Sequence, residues 1–287
     1  MDQMTRPFRS VLYMPASNPR ALEKAKGLPV DAIIFDLEDA VSADAKINAR
    51  DLLAETLAAG GYGDRFKIVR INALDTEWGR DDALALRNVG ADAILLPKVD
   101  SAMDIKPLTD LLANDLPVWA MMETPRGMIN AMEIAAHPRV TGFVLGTNDL
   151  AKDLNCRFRA DRLPLITSLQ LCLLAARSHG VVCIDGVYNA FKDDEGLRAE
   201  CEQGRDMGFD GKSLIHPAQL AVTNVAFGPS SAEIDLAQRH IEAFEAAEAE
   251  GKGVAVVDGK IVENLHVATA RATLAKAAAI AALELAT

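Results

Sequence analysis

Residues 118–127 read Val118-Trp119-Ala120-Met121-Met122-Glu123-Thr124-Pro125-Arg126-Gly127. Five apolar residues closed by a carboxylate, a hydroxyl and a proline turn are the pattern of a strand buried on both faces of a parallel sheet. Working outward, seven more short runs repeat it, at residues 10–14, 32–36, 67–71, 93–96, 142–145, 182–184 and 212–215. Helical stretches lie between them, with Ser17 and Pro19 opening one and Leu84, Leu86 and Val89 preceding a stop at Gly90. Eight strand–helix units within roughly 220 residues predict an α/β chain folded as a (β/α)8 TIM barrel; an open doubly wound sheet has fewer strands and a Gly-rich first turn.

The barrel is expected over residues 1–228, because the rhythm breaks after it. Residues 230–251 read as one Glu/Ala-rich helix, 254–261 as a hairpin turning at Asp258-Gly259, and 266–285 as an Ala-rich helix. Residues 229–287 are therefore a C-terminal helical and hairpin extension, suited to a cap or an oligomer contact.

Composition excludes several classes. Half of the 287 residues are apolar, enough for a large core, and aromatics are only 5 %. A formal charge of −11 opposes nucleic-acid binding, which needs clustered Lys and Arg; a small anion held by a few local cations remains compatible. Cys156, Cys172, Cys183 and Cys201 form no C-x-x-C pair and read as reduced thiols of a cytoplasmic protein. The longest apolar stretch, residues 277–283, is far short of the ~20 needed to cross a bilayer. The signatures of a serine-hydrolase elbow, a zincin and a dinucleotide fold are missing, and Gly211-Lys212-Ser213 lacks a P-loop's first glycine, Asp206 standing there. Of five histidines only His216 falls on the expected rim.

In a barrel the reactive groups project from the C-terminal ends of the strands. Those positions carry six acids, Asp36, Glu38, Asp39, Glu123, Asp149 and Asp185, against three cations, Arg70, Lys98 and Arg126. One such acid is commonly a helix cap or an ion-pair partner. Six at one mouth call for a cation, and hard oxygen donors without cysteine select Mg²⁺, or Mn²⁺. Glu123 and Asp149 follow neighbouring strands and are the expected ligands, while Asp36 and Glu38 read equally well as bridges to Lys98 or Arg70.

Eight segments carry a resemblance along nearly the whole chain: Ser10-Val11-Leu12-Tyr13-Met14-Pro15, Asp36-Leu37-Glu38-Asp39-Ala40-Val41, Arg70-Ile71-Asn72, Leu96-Pro97-Lys98-Val99, Glu123-Thr124-Pro125-Arg126-Gly127, Gly146-Thr147-Asn148-Asp149-Leu150, Ile184-Asp185-Gly186 and residues 211–219. In this order they resemble the citrate lyase β-subunit and malyl-CoA lyase family of CoA-ester lyases, which includes malyl-CoA thioesterases. The resemblance implies that Glu123 and Asp149 hold the metal, with Glu123 also touching substrate, and that Arg70 clamps the carboxylate or keto-acid end. It implies CoA contacts from Tyr13, Lys24, Ile184 and Asp185. Where Asn18 stands the family often has an Arg, so the phosphate contact falls to Arg20. Asp39 is a further candidate catalytic acid.

Family members cleave malyl-, methylmalyl-, citramalyl- or citryl-thioesters between the α and β carbons, and some hydrolyse the malyl thioester. An extra catalytic acid comes from a neighbouring subunit's C-terminal lid, in a Gly-x-hydrophobic-hydrophobic-Asp segment. Here Gly259-Lys260-Ile261-Val262-Glu263 aligns with it, so Glu263 is the candidate and the acid is one methylene longer. A lid borrowed from a neighbour implies a homotrimer or homohexamer. The expected function is Mg²⁺-dependent action on (3S)-malyl-CoA or a close β-hydroxy acyl-CoA, by thioester hydrolysis to malate and CoA or by retro-Claisen cleavage to acetyl-CoA and glyoxylate. Family habit favours cleavage; the lengthened acid and a short connection after Asp149 favour hydrolysis. The alternatives are a citrate-lyase-type subunit acting on a citryl thioester and a keto-acid aldolase without CoA.

Overall fold

Each apolar run becomes a strand because its alternate side chains find apolar partners on both faces. The computed structural model describes residues 6–286. Its barrel strands are β1 (Ser10–Pro15), β2 (Ala32–Asp36), β3 (Phe66–Arg70), β4 (Ala93–Leu96), β5 (Val118–Met122), β6 (Val140–Leu145), β7 (Val182–Asp185) and β8 (Gly211–Leu214). All pair in parallel in sequence order, and the sheet closes where Val11 of β1 meets Ser213 of β8. The fold is the expected (β/α)8 barrel, with strand ends shifted by one or two residues. Ile71, read as strand, lies one residue beyond β3, yet its N–H still donates to the Leu95 carbonyl at 3.3 Å.

The two faces have separate cores. Val11, Ile34, Ile68, Leu95, Trp119, Val144 and Ile184 fill the barrel interior, whereas Leu12, Ile33, Phe35, Val69, Ile94, Phe143 and Cys183 pack outward against the helices. Phe8, Phe66 and Trp119 meet with ring centroids 5.3 to 5.7 Å apart within the interior core. At the N-terminal end of β1, Arg9 grips Asp31 with Nε at 3.0 Å and Nη2 at 2.9 Å.

The outer helices are α1 (Pro19–Ala25), α2 (Lys46–Ala59), α3 (Gly79–Leu86), α4 (Ile105–Leu112), α5 (Pro125–Ile129), α6 (Ala131–Ala135), α7 (Thr147–Asp153), α8 (Ile166–His179), α9 (Asp194–Met207) and α10 (Leu220–Phe227). Asn18, not Ser17, caps α1, its Oδ1 accepting from the Arg20 and Ala21 N–H groups; Pro19 at the first helical position puts the cap one residue later.

The tail forms α11 (Ser231–Ala249), an antiparallel hairpin of β9 (Ala255–Val257) and β10 (Lys260–Val262), and α12 (Asn264–Ala286). Asp258 and Gly259 take φ of 50° and 74°, the paired positive values of a tight hairpin turn. Phe244, Ala255, Val257, Val262 and Val267 make a small core of their own. Ion pairs Arg205–Glu233 (2.6 Å) and Arg9–Glu284 (3.0 Å) fasten the extension to the barrel. Among the described residues no helix is long and apolar enough to cross a membrane.

A side chain at Gly142 would overlap the Trp119 indole that fills the interior. Gly142→Ala is expected to destabilise the barrel by about 1–3 kcal/mol, read as a lower midpoint in chemical denaturation.

Candidate active site

Period-two alternation carries the interior face of each strand upward into the barrel mouth. From Ile34 it leads to Asp36, from Ile68 to Arg70, and from Trp119 through Met121 to Glu123. Asp36, Arg70, Met121 and Glu123, with Tyr13, Asp39, Thr147 and Asp149, line a cavity of about 330 Å³. The structure thus gathers Tyr13, Asp39, Arg70, Glu123 and Asp149 into one site.

Arg70 is its buried centre. Nε and Nη2 donate to the two oxygens of Asp36 at 2.7 and 2.6 Å, a bidentate grip, and the guanidinium lies 4.9 Å from the centroid of the Tyr13 ring. Nη1 faces Glu38 at 2.8 Å, an ion pair without aligned hydrogen-bond geometry, and the exposed Asp39 at 3.5 Å. Asp36 and Glu38 therefore bridge to Arg70, not to Lys98. Burial pushes the Glu38 carboxyl up to about 8, against the pull of Arg70.

Three of the six rim acids are answered by Arg70. A fourth, Asp185, is answered elsewhere: it shares the outward face of β7 with Cys183, is fully buried, and contacts Arg162 Nη1 at 2.7 Å and Lys212 Nζ at 3.3 Å. Burial alone would raise its carboxyl, but the Lys212 and Arg162 charges hold it below the usual range. Lys212, to which sequence reasoning assigned no charge-pairing role, is a buried counter-ion whose ammonium also donates to the Gly186 carbonyl and to Glu200.

Glu123 and Asp149 remain. Among the described residues neither has an ion-pair partner; Glu123 accepts one hydrogen bond, from the Lys98 N–H at 2.8 Å. Burial lifts the Glu123 carboxyl to about 7, with Asp149 adding to the rise and Arg70 opposing it. Gly146 makes room for this carboxylate, since a Cβ there would strike it. No group of three or more His, Cys, Asp or Glu side chains is suited to a metal among the described residues. Two uncompensated carboxylates at a cavity fit Mg²⁺, which keeps waters or substrate oxygens in its other positions, and do not fit a closed zinc site.

The other expected contacts lie elsewhere. Ile184 is in the interior core and does not line the cavity; Ile215, just past β8, does. Asp185 points away from it, because a one-residue step along a strand changes faces. Arg20 and Lys24 are exposed on α1, four residues apart and so on one side of it, outside the cavity. Glu263 is exposed at the start of α12, its N–H donating to His266 Nδ1, and does not line its own chain's cavity. His216 caps the turn after β8, Nδ1 accepting from the Ala218 N–H, and stacks on Phe191. Sequence reasoning missed the wall residues Met121, Thr147, Val187 and Ile215, which carry no charge to mark them.

A closed barrel with a buried arginine and an acidic pair at its mouth is the scaffold of a metal-assisted enzyme. The chain belongs to the HpcH/HpaI aldolase/citrate lyase family, which matches residues 9–217. It is 68 % identical over 282 residues to a (3S)-malyl-CoA thioesterase of Cereibacter sphaeroides, covering 98 % of this chain and 99 % of that one. It is 36 % identical over 287 residues to the citrate lyase subunit beta of Escherichia coli, covering 96 % and 95 %. Among solved structures, CitE from Mycobacterium tuberculosis in complex with magnesium, acetoacetate and coenzyme A superposes with a TM-score of 0.80 at 31 % identity, over 96 % of this chain and 99 % of that one.

The elevated Glu123 carboxyl has a consequence for the metal-free protein. Below about pH 4.5 the group is neutral folded or unfolded and costs nothing; as pH rises, the unfolded chain ionises first and the folded state loses stability until about pH 7. Metal-free Glu123→Gln is expected to melt higher than the parent at pH 8, with the gap closing towards pH 4.5. An equal or lower melting temperature at pH 8 refutes the assignment of a buried, uncompensated acid.

Proposed function

We propose that this chain is a Mg²⁺-dependent hydrolase of (3S)-malyl-CoA, releasing malate and CoA, with retro-Claisen cleavage to acetyl-CoA and glyoxylate as the competing reaction of the same site. One observation carries this reading: Glu123 and Asp149 are the rim acids left without a counter-ion, in a cavity that also holds Arg70. The near full-length likeness to malyl-CoA thioesterases supports the substrate and favours hydrolysis over the citrate-lyase reaction.

Glu123 and Asp149 would hold Mg²⁺, which when bound supplies charge that polarises the oxygens it chelates. Arg70 is pre-oriented by its bidentate grip on Asp36, so binding a substrate carboxylate costs it little rearrangement. Its Nη1 can exchange the weakly held Asp39, at 3.5 Å, for that carboxylate. Asp39, thus released at the cavity wall, would accept a proton from the water as its oxygen bonds to the thioester carbonyl carbon, and return that proton to the CoA sulfur as the C–S bond breaks.

Tyr13 backs the arginine, and the exposed pair Arg20 and Lys24 on α1 suits the phosphates of CoA. Ile184 and Asp185 would act on CoA only through the loop they support. Glu263 would enter the site from a neighbouring copy, the extension serving as a lid over that copy's barrel in a homotrimer or homohexamer. Four free cysteines suit a cytoplasmic setting.

Incubation with (3S)-malyl-CoA and Mg²⁺ should release free thiol well in excess of glyoxylate; release of neither sinks the proposal. Glu123→Ala and Asp149→Ala should each lower turnover by at least about a hundredfold, the upper end of what losing mere supporting contacts to a metal costs. For the lid, co-expressed Arg70→Ala and Glu263→Gln chains should regain about a quarter of parental activity, since random assembly pairs an intact barrel with an intact lid that often. No recovery above the separate variants removes the lid role.

A further inference from the structure

The turn between β2 and α2 carries Glu38 and Asp39, two of the three acids that face Arg70. A buried lysine further along the chain holds this turn. Lys46 is 7 % exposed, and its ammonium donates to the Leu37 and Glu38 carbonyls, each at 2.9 Å. The Trp78 ring lies beside it, with Nζ 5.2 Å from the centroid. Among the described residues the ammonium forms no ion pair.

This placement is unfavourable in two respects. Burial strips an ammonium of its water, and Lys46 opens α2, where the helix dipole disfavours a cation. Charge-assisted bonds to two carbonyls and the face of an indole are the contacts that offset those costs. A methionine would fill similar space at neither cost, so what the ammonium adds is its hold on the turn.

A second brace meets the first at the same oxygen. Asn72, just beyond β3, donates its Nδ2 to the Leu37 carbonyl at 3.0 Å and to Asp82 Oδ2 at 2.7 Å. Arg50, one turn after Lys46 on α2, places Nε 3.1 Å from Asp82 Oδ1, so the braces from α2, β3 and α3 close into a ring around the turn. Within the turn, the Asp36 carboxylate accepts from the Glu38 and Ala40 N–H groups at 2.9 and 3.1 Å, and the Glu38 carbonyl accepts from the Val41 N–H at 3.1 Å. Asp39 lies between these anchors.

We propose that Lys46 is a positioning residue: by holding the Leu37 and Glu38 carbonyls it sets where Glu38 and Asp39 stand relative to Arg70 Nη1. Its effect on turnover rests on the hydrolysis reading above, in which Asp39 moves the proton; its effect on the turn does not. A shift of about 1 Å at such a group costs up to about a hundredfold in rate. The grip of Asp36 on Arg70 is untouched by Lys46, so binding of the substrate carboxylate is largely spared.

The test variant is Lys46→Met, replaced by Lys46→Gln if it fails to fold. In metal-free protein, hydrogen exchange read by mass spectrometry should quicken at least about tenfold at residues 38–41, as the loss of charge-assisted bonds implies, while β5 exchanges as in the parent. With (3S)-malyl-CoA and Mg²⁺, kcat should fall at least about tenfold and KM move less than about threefold. Added to Asp39→Asn, the same change should lower kcat by less than about twofold more, because both act through one group; a merely structural lysine costs the same factor in either background. Parental exchange at residues 38–41, or losses that multiply in the double variant, overturns the proposal. If the parent releases no thiol from malyl-CoA, the hydrolysis reading fails by itself, and the exchange result still decides whether Lys46 holds the turn.

Discussion

The alternation of side chains along eight closed strands is the constraint on which the rest of this molecule depends. Closure leaves each strand one face towards a shared interior and one towards the helices, so every residue at a strand end is assigned to the mouth or to the outer wall by parity. Asp36, Arg70 and Glu123 fall on the inner parity and meet at the mouth. Asp185 falls on the outer parity and is packed between β7, β8 and α9. A single residue's shift in any of these strands would exchange the two outcomes.

Charge is distributed under the same constraint. The mouth gathers more acids than bases, and a buried carboxylate persists only with a partner or a shifted proton equilibrium. Arg70 serves three acids at once, while Lys212 and Arg162 serve Asp185 and Glu200 behind the wall. Glu123 and Asp149 are left over, and the high proton affinity of Glu123 records the cost. The same residues that make the metal-free mouth unfavourable are those suited to a divalent cation.

The extension follows a different logic. Its two long helices and hairpin enclose a small core of their own and join the barrel by ion pairs at Glu233 and Glu284. None of its described residues lines its own chain's cavity. An appendage organised this way is free to serve a surface other than its own, which is compatible with the lid role that the family resemblance implies for Glu263.

By itself the sequence determined the architecture, the hairpin of the extension and the placement of Glu123 and Asp149 at the barrel mouth. Those follow from short-range signals: apolar runs of strand length, an Asp-Gly turn, and acids placed directly after strands. Which acids were neutralised was decided only by the tertiary structure, because Arg162, Lys212 and Glu200 come from three separate segments that the fold brings around Asp185. The same holds for the cavity walls, where Met121, Thr147, Val187 and Ile215 are ordinary residues until curvature of the sheet turns them towards one point. Sequence order fixes parity along a strand, but contact between strands and loops far apart in the chain is a property of the closed barrel alone.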